Sequence, residues 1–243
     1  ETVFPIIYHQ VGNGGKQRAI NNAMDLARGE YFFIVDSDDA LAANAIAFII
    51  KAFESLPRDE NFIGISGLKV MFDGGFIHGE PLIDVSVGYV DCNNLERPLY
   101  NLQSDMAEVF YTMKLREYKF PVWDGETFTP EAVVWDQMAL DGYRLRWFNV
   151  PIYYCEYQSE GLTKSSWSLL KKNPMGYAMM FNTQLKYKRK GRVNLVLQFL
   201  SCCFLGGRYD YILKCNSIWV WLLFPLGWLI SLRRRLQFRK YVV

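Results

Sequence analysis

The spacing of apolar and polar residues predicts a helix followed by a buried strand near the start of the chain. The segment 13–15, Asn-Gly-Gly, is a turn signal, and apolar residues then recur at helical spacing over residues 16–28. Gly29 follows where a helix C-cap glycine belongs. Residues 31–35 are all apolar and have the length and composition of a buried strand. The predicted unit is therefore a glycine turn, a short amphipathic helix and an apolar strand.

The same reasoning assigns elements along the rest of the first 140 residues. Residues 3–11 predict a strand, residues 62–72 a second one, and residues 76–90 a small hairpin. A long helix is predicted over residues 41–56, with an apolar face formed by Ile46, Ile49, Ile50 and Phe53. Another helix is predicted over residues 105–118, with a buried stripe of Met106, Val109, Phe110 and Met113. Residues 132–140 predict a third apolar helix.

After Gly191 the composition changes, which divides the chain into predicted domains of residues 1–190 and 191–243. The apolar run 218–232 would be about 22 Å long as a helix, short of the ~30 Å hydrocarbon core of a bilayer. Tryptophans in this run precede a basic cluster of Arg233, Arg234, Arg235, Arg239 and Lys240. This pattern favours a helix that lies on the inner, cytoplasmic face of the cell membrane. The alternative is a pair of buried helices that packs on the first domain.

Composition excludes several classes of protein. With 51% hydrophobic and 16% aromatic residues, the chain of 243 residues is not disordered and can bury a full core. A net charge of +2, without a zinc-finger or RNA-binding motif, predicts that nucleic acid is not a partner. The five cysteines are an odd number without a Cys-x-x-Cys pair, which indicates reduced thiols in a cytoplasmic protein.

The acidic segment Asp36-Ser37-Asp38-Asp39 follows directly on the predicted strand 31–35. The carboxyl end of a strand is where open α/β sheets bind ligands. Three carboxylates repel one another at neutral pH unless a cation or strong donors join them, and hard oxygen ligands suit Mg²⁺ or Mn²⁺. The alternative is a solvated loop or an N-cap cluster for the helix that follows. The segment favours a metal site.

Four short segments occur in an order that resembles family 2 glycosyltransferases with the GT-A fold. They are Asn-Gly-Gly at 13–15, Ala-Ile-Asn at 19–21, Ala-Arg-Gly-Glu-Tyr at 27–31 and Val-Asp-Ser-Asp-Asp at 35–39. The resemblance implies an α/β sandwich around a mostly parallel sheet, here with a C-terminal helical extension. It also implies inverting, metal-dependent transfer of a hexose-type sugar from a nucleotide-diphosphate donor to a glycan or lipid-linked acceptor.

The resemblance assigns donor and metal binding to the first of these segments. Gly15 and Lys16 would contact the donor, and Asp36 would orient the donor ribose or the metal. Asp38 and Asp39 would hold Mg²⁺ or Mn²⁺ against the diphosphate.

A second resemblance to the family lies at residues 125–131, Gly-Glu-Thr-Phe-Thr-Pro-Glu. The family's Glu-Asp pair is replaced by Pro130-Glu131, which leaves Glu131 as the predicted general base. A first-turn acid also suits a helix N-terminus, so both roles stay open. Asp124 and Glu126 are predicted to contact acceptor hydroxyls, although turn chemistry explains the Asp-Gly pair at 124–125 equally well.

Two further segments indicate how much of the family's catalytic domain this chain is expected to contain. Residues 154–163 resemble the segment that closes the catalytic domain in a bacterial, polysaccharide-type subgroup. A strand like the one predicted over residues 3–11 comes third in the family. The first βαβ unit, which would hold the nucleotide base, is therefore expected to be missing, and weak donor binding and an inactive fragment are expected.

Two other classes of protein fit parts of the sequence. The segment 35–41 resembles the nucleophile motif of haloacid-dehalogenase-type phosphohydrolases, but it has Ala40 where that motif has Thr, and the chain contains no Gly-Asp dipeptide. A non-catalytic scaffold or glycan-binding protein near a membrane is the other alternative. Turnover of a sugar donor would separate it from an enzyme.

Overall fold

The computed structural model describes residues 4–58, 61–77, 88–102, 105–156, 166–215 and 217–240. Within them, a six-stranded sheet carries helices against its faces, and a group of helices follows it in the chain. The α/β fold predicted from the sequence is confirmed. Most of the predicted hairpin 76–90 and of the segment 154–163 lies outside the described residues.

The sheet is mixed rather than mostly parallel. Its strands are β1 (Tyr31–Phe33), β2 (Ala40–Leu41), β3 (Phe62–Met71), β4 (Tyr89–Cys92), β5 (Met106–Tyr111) and β6 (Arg144–Cys155). Their order is β1-β5-β3-β6-β2, with β4 also paired to β6. Among the described strands only β3 and β6 pair in parallel. The prediction of a mostly parallel sheet was wrong. The antiparallel pairs involve β5, which the sequence analysis assigned to a helix, and the short strands β2 and β4.

Strand β5 replaces most of the helix predicted over residues 105–118. Its side chains alternate between two buried environments: Met106 and Phe110 pack in one hydrophobic cluster, and Ala107 and Val109 pack in the cluster on the opposite face of the sheet. Burial on both faces removes the polar alternation that marks a half-exposed strand. Only Thr112–Leu115 (α3) is helical, and Met113 is exposed.

The helices around the sheet agree more closely with prediction. Helix α1 (Lys16–Leu26) buries Ile20 and Met24, and α4 (Ala132–Leu140) occupies the predicted range. Helix α2 (Ala45–Glu54) is shorter than predicted, and Ile46 and Ile50 of its predicted apolar face are exposed. Residues 5–11 form no strand in the described structure and are exposed.

The C-terminal helices share a hydrophobic core of their own. They are α5 (Ser166–Lys172), α6 (Pro174–Tyr187), α7 (Arg192–Leu205), α8 (Tyr209–Ile212), α9 (Trp219–Leu222) and α10 (Phe224–Lys240). Their common cluster runs from Leu170 to Phe238, so helical packing begins before the predicted boundary at residue 191. No helix within the described ranges is both long and apolar enough to cross a membrane.

Candidate functional site

The glycine turn places α1 directly against the loop that precedes α4. Gly15 has φ +91°, and a Cβ atom added there would lie 1.8 Å from the Thr127 carbonyl oxygen. Arg18 holds the same loop, because its guanidinium donates to the Trp123 carbonyl at 2.6 Å and to the Glu126 carbonyl at 2.5 Å. The start of α1 and the start of α4 are therefore fixed to each other.

The acidic segment after β1 is anchored to the sheet by Tyr153. The Asp36 amide donates to the Tyr153 hydroxyl at 2.9 Å, and that hydroxyl donates to Asp39 Oδ2 at 2.6 Å. Burial and the hydrogen bond to Asp39 raise the pKa of Tyr153, so the phenol remains a donor. Tyr153, on β6, thus sets the conformation of the loop that carries the carboxylates.

Lys16 connects the acidic segment after β1 to Glu131 at the start of α4. Its ammonium lies 3.1 Å from Asp36 Oδ2 and 3.1 Å from Glu131 Oε1. Burial lowers the pKa of Lys16, but the carboxylates of Glu131 and Asp36 raise it, and the net shift is upward. A lysine that stays protonated links a residue at the end of β1 to a residue at the start of α4.

Glu131 faces this lysine rather than its own helix. It is the N-cap residue of α4, yet its side chain makes no capping hydrogen bond. The carboxylate instead contacts Lys16 at the mouth of a cleft. Of the two roles left open by the sequence, this geometry favours the one in the site over the one in capping.

The free volume of the cleft is about 20 Å³, enough for a water molecule or a single hydroxyl group. Charged groups surround it, and its floor is apolar. Its lining includes the two carboxylates and the lysine just described, together with Ile34, Lys69, Met106, Glu108, Phe110 and Trp135. Charged groups around so small a space suit a hydroxyl group of a polar ligand that lies over the cleft.

Lys69 and Glu108 are the charged lining residues that the sequence analysis did not single out. Burial raises the pKa of Glu108 to about 7, although Arg97 and Lys69 act in the opposite direction. Lys69 pairs with Asp105 at 3.4 Å. For Glu108, the available signal was a charged residue between apolar neighbours in the sequence. The helix predicted over residues 105–118 left Glu108 off its buried stripe.

The carboxylates after β1 fit a cation only with help from another molecule. Within the described ranges, no three His, Cys, Asp or Glu side chains approach closely enough to form a metal site. Asp36 and Asp39 already contact Lys16 and Tyr153, while Asp38 is exposed. This donor set suits Mg²⁺ or Mn²⁺ bound through one or two carboxylates and completed by phosphate oxygens of a ligand.

Glu126 has a structural position, which corrects its predicted contact with an acceptor. The side chain is buried, and its carboxylate accepts hydrogen bonds from the amides of Met175 at 2.7 Å and Gly176 at 2.9 Å. These amides belong to the first turn of α6, where a negative charge is stabilised by the helix dipole. Asp124 is exposed outside the cleft lining, so its contact with an acceptor stays a prediction.

Comparisons with known proteins give a family match in the first quarter of the chain and structural matches over most of it. Residues 4–66 match the family model described as glycosyl transferase family 2. Among solved structures, S. aureus TarS 1–349 in complex with UDP-GlcNAc is 14% identical, with a TM-score of 0.49 over 90% of this chain and 71% of that one. A second structure of S. aureus TarS is 17% identical, with a TM-score of 0.41 over 94% of this chain and 42% of that one. No curated protein matches.

Proposed function

We propose that this chain, whose residues 4–66 match the model of glycosyl transferase family 2, moves a sugar from a nucleotide-diphosphate donor to a glycan or lipid-linked acceptor. The proposal includes inversion at the anomeric carbon and dependence on Mg²⁺ or Mn²⁺. One observation carries it: Lys16 brings the acidic segment after β1 and Glu131 to the same cleft. These two regions are distant in the sequence, and sugar transfer requires both a donor site and a base.

The reaction that fits this arrangement is a single displacement. The acceptor hydroxyl loses its proton to Glu131 while its oxygen forms a bond to the anomeric carbon of the donor sugar. The bond from that carbon to the diphosphate oxygen breaks, and the electron pair leaves with the diphosphate. Lys16 holds the Glu131 carboxylate at the cleft. A divalent cation bound by Asp38 and Asp39, with Asp36 beside it, would offset the charge on the leaving diphosphate.

Replacing Asp38 with asparagine is expected to lower metal-dependent donor binding and turnover at least about tenfold, because one carboxylate ligand is lost. Calorimetric titration of UDP, GDP and dTDP, with and without Mn²⁺, measures the binding. Release of nucleotide diphosphate from the corresponding sugar donors measures the turnover. Asp25→Asn, which removes an exposed carboxylate from α1, is the matched control.

Three results would count against this assignment. Unchanged metal-dependent turnover in Asp38→Asn would remove Asp38 as a metal ligand. Binding and turnover that are equal with Mn²⁺ and with a chelator would contradict metal dependence. A wild-type protein that binds a glycan but turns over none of the sugar donors would instead support a non-catalytic, glycan-binding role.

The proposed location is the cytoplasmic surface of a membrane, and the outer face of the C-terminal helices supports it. Residues 186–243 contain twelve Lys or Arg and one acidic residue, a net charge of +11, whereas residues 1–185 carry −9. In α10, Arg234 is buried and donates to Ser201 of α7 at 3.1 Å, and Gly227 lies against Leu200. Residues 217–240 expose the apolar side chains of Ile218, Trp219, Trp221, Leu222, Leu226, Trp228, Leu229 and Leu236.

Exposed tryptophans and leucines on a strongly basic unit suit the interface of an anionic bilayer. A double substitution, Trp221→Ser with Trp228→Ser, is expected to lower binding to phosphatidylglycerol-containing vesicles at least about tenfold, because two interfacial side chains are lost. Flotation of the full chain with vesicles is the measurement, and Leu99→Ser controls for the loss of an exposed apolar side chain elsewhere. Equal binding of the double variant and the wild type would contradict the proposed surface. So would equal binding to vesicles of phosphatidylcholine alone.

A further inference from the structure

We infer that Glu108 and Lys69 form a subsite for sugar hydroxyl groups beside Glu131, and that Glu108 determines which sugar the cleft accepts. The inference rests on the proposed function and adds to it a residue that recognises the carbohydrate. Both side chains line the cleft that also contains Lys16, Asp36 and Glu131. The group bound in the cleft would be a hydroxyl of a sugar ring that lies over it, and the sugar would belong either to the donor or to the acceptor.

Glu108 interrupts an otherwise apolar face of the sheet. It lies on β5 between Met106 and Phe110, which share its face and belong to the hydrophobic core. Ser66 of β3 is its partner in the antiparallel register, so the two side chains are neighbours on that face. The Ser66 hydroxyl is buried and has no hydrogen-bond partner among the described residues. Two adjacent polar side chains thus occupy positions where the core elsewhere uses apolar ones.

Two other carboxylates of this protein, one buried and one half-buried, accept hydrogen bonds that fix them in the structure. Glu126 accepts two backbone hydrogen bonds at the start of α6. Asp91 accepts two hydrogen bonds from Arg146, at 2.7 and 2.6 Å. In the described part of the chain, no hydrogen bond to the Glu108 carboxylate is formed. Because buried polar groups are normally paired, a carboxylate turned to a cleft without a partner indicates a ligand with hydroxyl donors.

Charges of both signs surround Glu108, which suits a neutral hydroxyl group better than a second ion. Lys69 and Arg97 lie near it on the positive side, and Asp105 and Glu131 lie near it on the negative side. Phe110 and Trp135 pack together at the floor with ring centroids 4.6 Å apart. Both rings are buried, so a sugar would be recognised by its hydroxyls, which would donate to Glu108 and accept from Lys69.

Two substitutions at this position test recognition. Glu108→Leu has a similar size and removes every hydrogen-bond acceptor that this side chain offers to a ligand. Glu108→Gln keeps one neutral acceptor. For the sugar that the wild type prefers, kcat/KM is expected to fall at least about tenfold in Glu108→Leu and less in Glu108→Gln. For a sugar that differs from the preferred one in a single hydroxyl, kcat/KM is expected to fall less than about threefold. The variant would therefore no longer discriminate between the two sugars. Glu54→Gln, an exposed glutamate on α2, is the control.

The two possible sources of the sugar are separated by which substrate is varied. In the absence of an acceptor, the hydrolysis of epimeric nucleotide-sugar donors reports recognition of the donor sugar. It is measured by the release of nucleotide diphosphate. Epimeric acceptors at saturating donor report recognition of the acceptor. Loss of discrimination in either series supports the inference, and unchanged discrimination in both overturns it. A wild-type chain without turnover of any donor would overturn the proposed function itself, and the inference with it.

Thermal stability gives a readout that distinguishes a binding role from a structural one. Glu108 is charged only at a cost in stability, because burial raises its pKa to about 7 from 4.5. The folded state keeps a proton that the unfolded state releases, so the contribution of Glu108 to stability is lost as pH rises from about 4.5 through 7. Glu108→Gln is therefore expected to raise Tm, and more at pH 8 than at pH 5, while it weakens recognition. A lower Tm in Glu108→Gln at pH 8 would indicate a structural role and overturn the inference.

Discussion

Replacing Glu131 with glutamine is expected to lower the rate of sugar transfer by about 10²–10⁴-fold, the usual contribution of a positioned general base. Glutamine has the same shape but does not take the proton from the acceptor hydroxyl. The stability of the fold is expected to change by less than about 1 kcal/mol, because the Glu131 side chain makes no capping hydrogen bond to α4. Steady-state kcat with saturating donor and acceptor is the measurement, with Tm recorded on the same samples.

The control for this substitution is Glu117→Gln, which removes an exposed glutamate away from the cleft and is expected to retain wild-type kcat. Binding of the nucleotide diphosphate to Glu131→Gln is expected to stay within about threefold of wild type, since the proposed donor contacts do not include Glu131. Turnover at the wild-type rate in Glu131→Gln would remove Glu131 as the base. Loss of kcat together with loss of donor binding would mean that the substitution disturbs the whole site.

Local signals in the sequence were sufficient for the part of the site near α1 and β1. The helix over residues 16–28 and the strand over residues 31–35 were predicted within a few residues of their observed limits, because a glycine turn marks the start of the helix. The predicted C-cap at Gly29 was wrong, since α1 ends at Leu26 and its C-cap residue is Ala27. The acidic segment begins three residues after the end of β1, so its place near the sheet edge needed no knowledge of tertiary contacts. The contacts of Lys16 with both Asp36 and Glu131 were not predicted, because the family resemblance assigned these residues separate roles in one site.

Contacts between distant elements were beyond the reach of sequence patterns. The apolar residues of β5 fit a helical period, and only pairing with β1 and β3 shows that both of its faces are buried. The wrong assignment placed Glu108 outside the predicted site. Glu126 was assigned to an acceptor for a related reason: its actual partners, the first amides of α6, are about fifty residues away.

Substituting Gly15 with alanine is expected to be the most damaging single-methyl change near the site, destabilising the fold by about 3–5 kcal/mol. One part of this arises from φ +91°, which L-residues rarely adopt, and the larger part from the 1.8 Å separation between the new Cβ and the Thr127 carbonyl oxygen. The loop cannot retreat easily, because Asn173 Oδ1 accepts hydrogen bonds from the amides of Thr127 at 2.8 Å and Phe128 at 3.0 Å. Denaturant unfolding measures the loss of stability.

Gly12→Ala is the matched control, because a Cβ atom there has no neighbour within 4 Å and its φ is not positive. The same methyl group three residues earlier is therefore expected to change stability by less than about 1 kcal/mol. Any Gly15→Ala protein that remains folded is expected to lose turnover as well, because moving the loop at Thr127 shifts Glu131 relative to Lys16. Equal stability and equal turnover of the two alanine variants would show that the contact between Gly15 and Thr127 does not hold the site together.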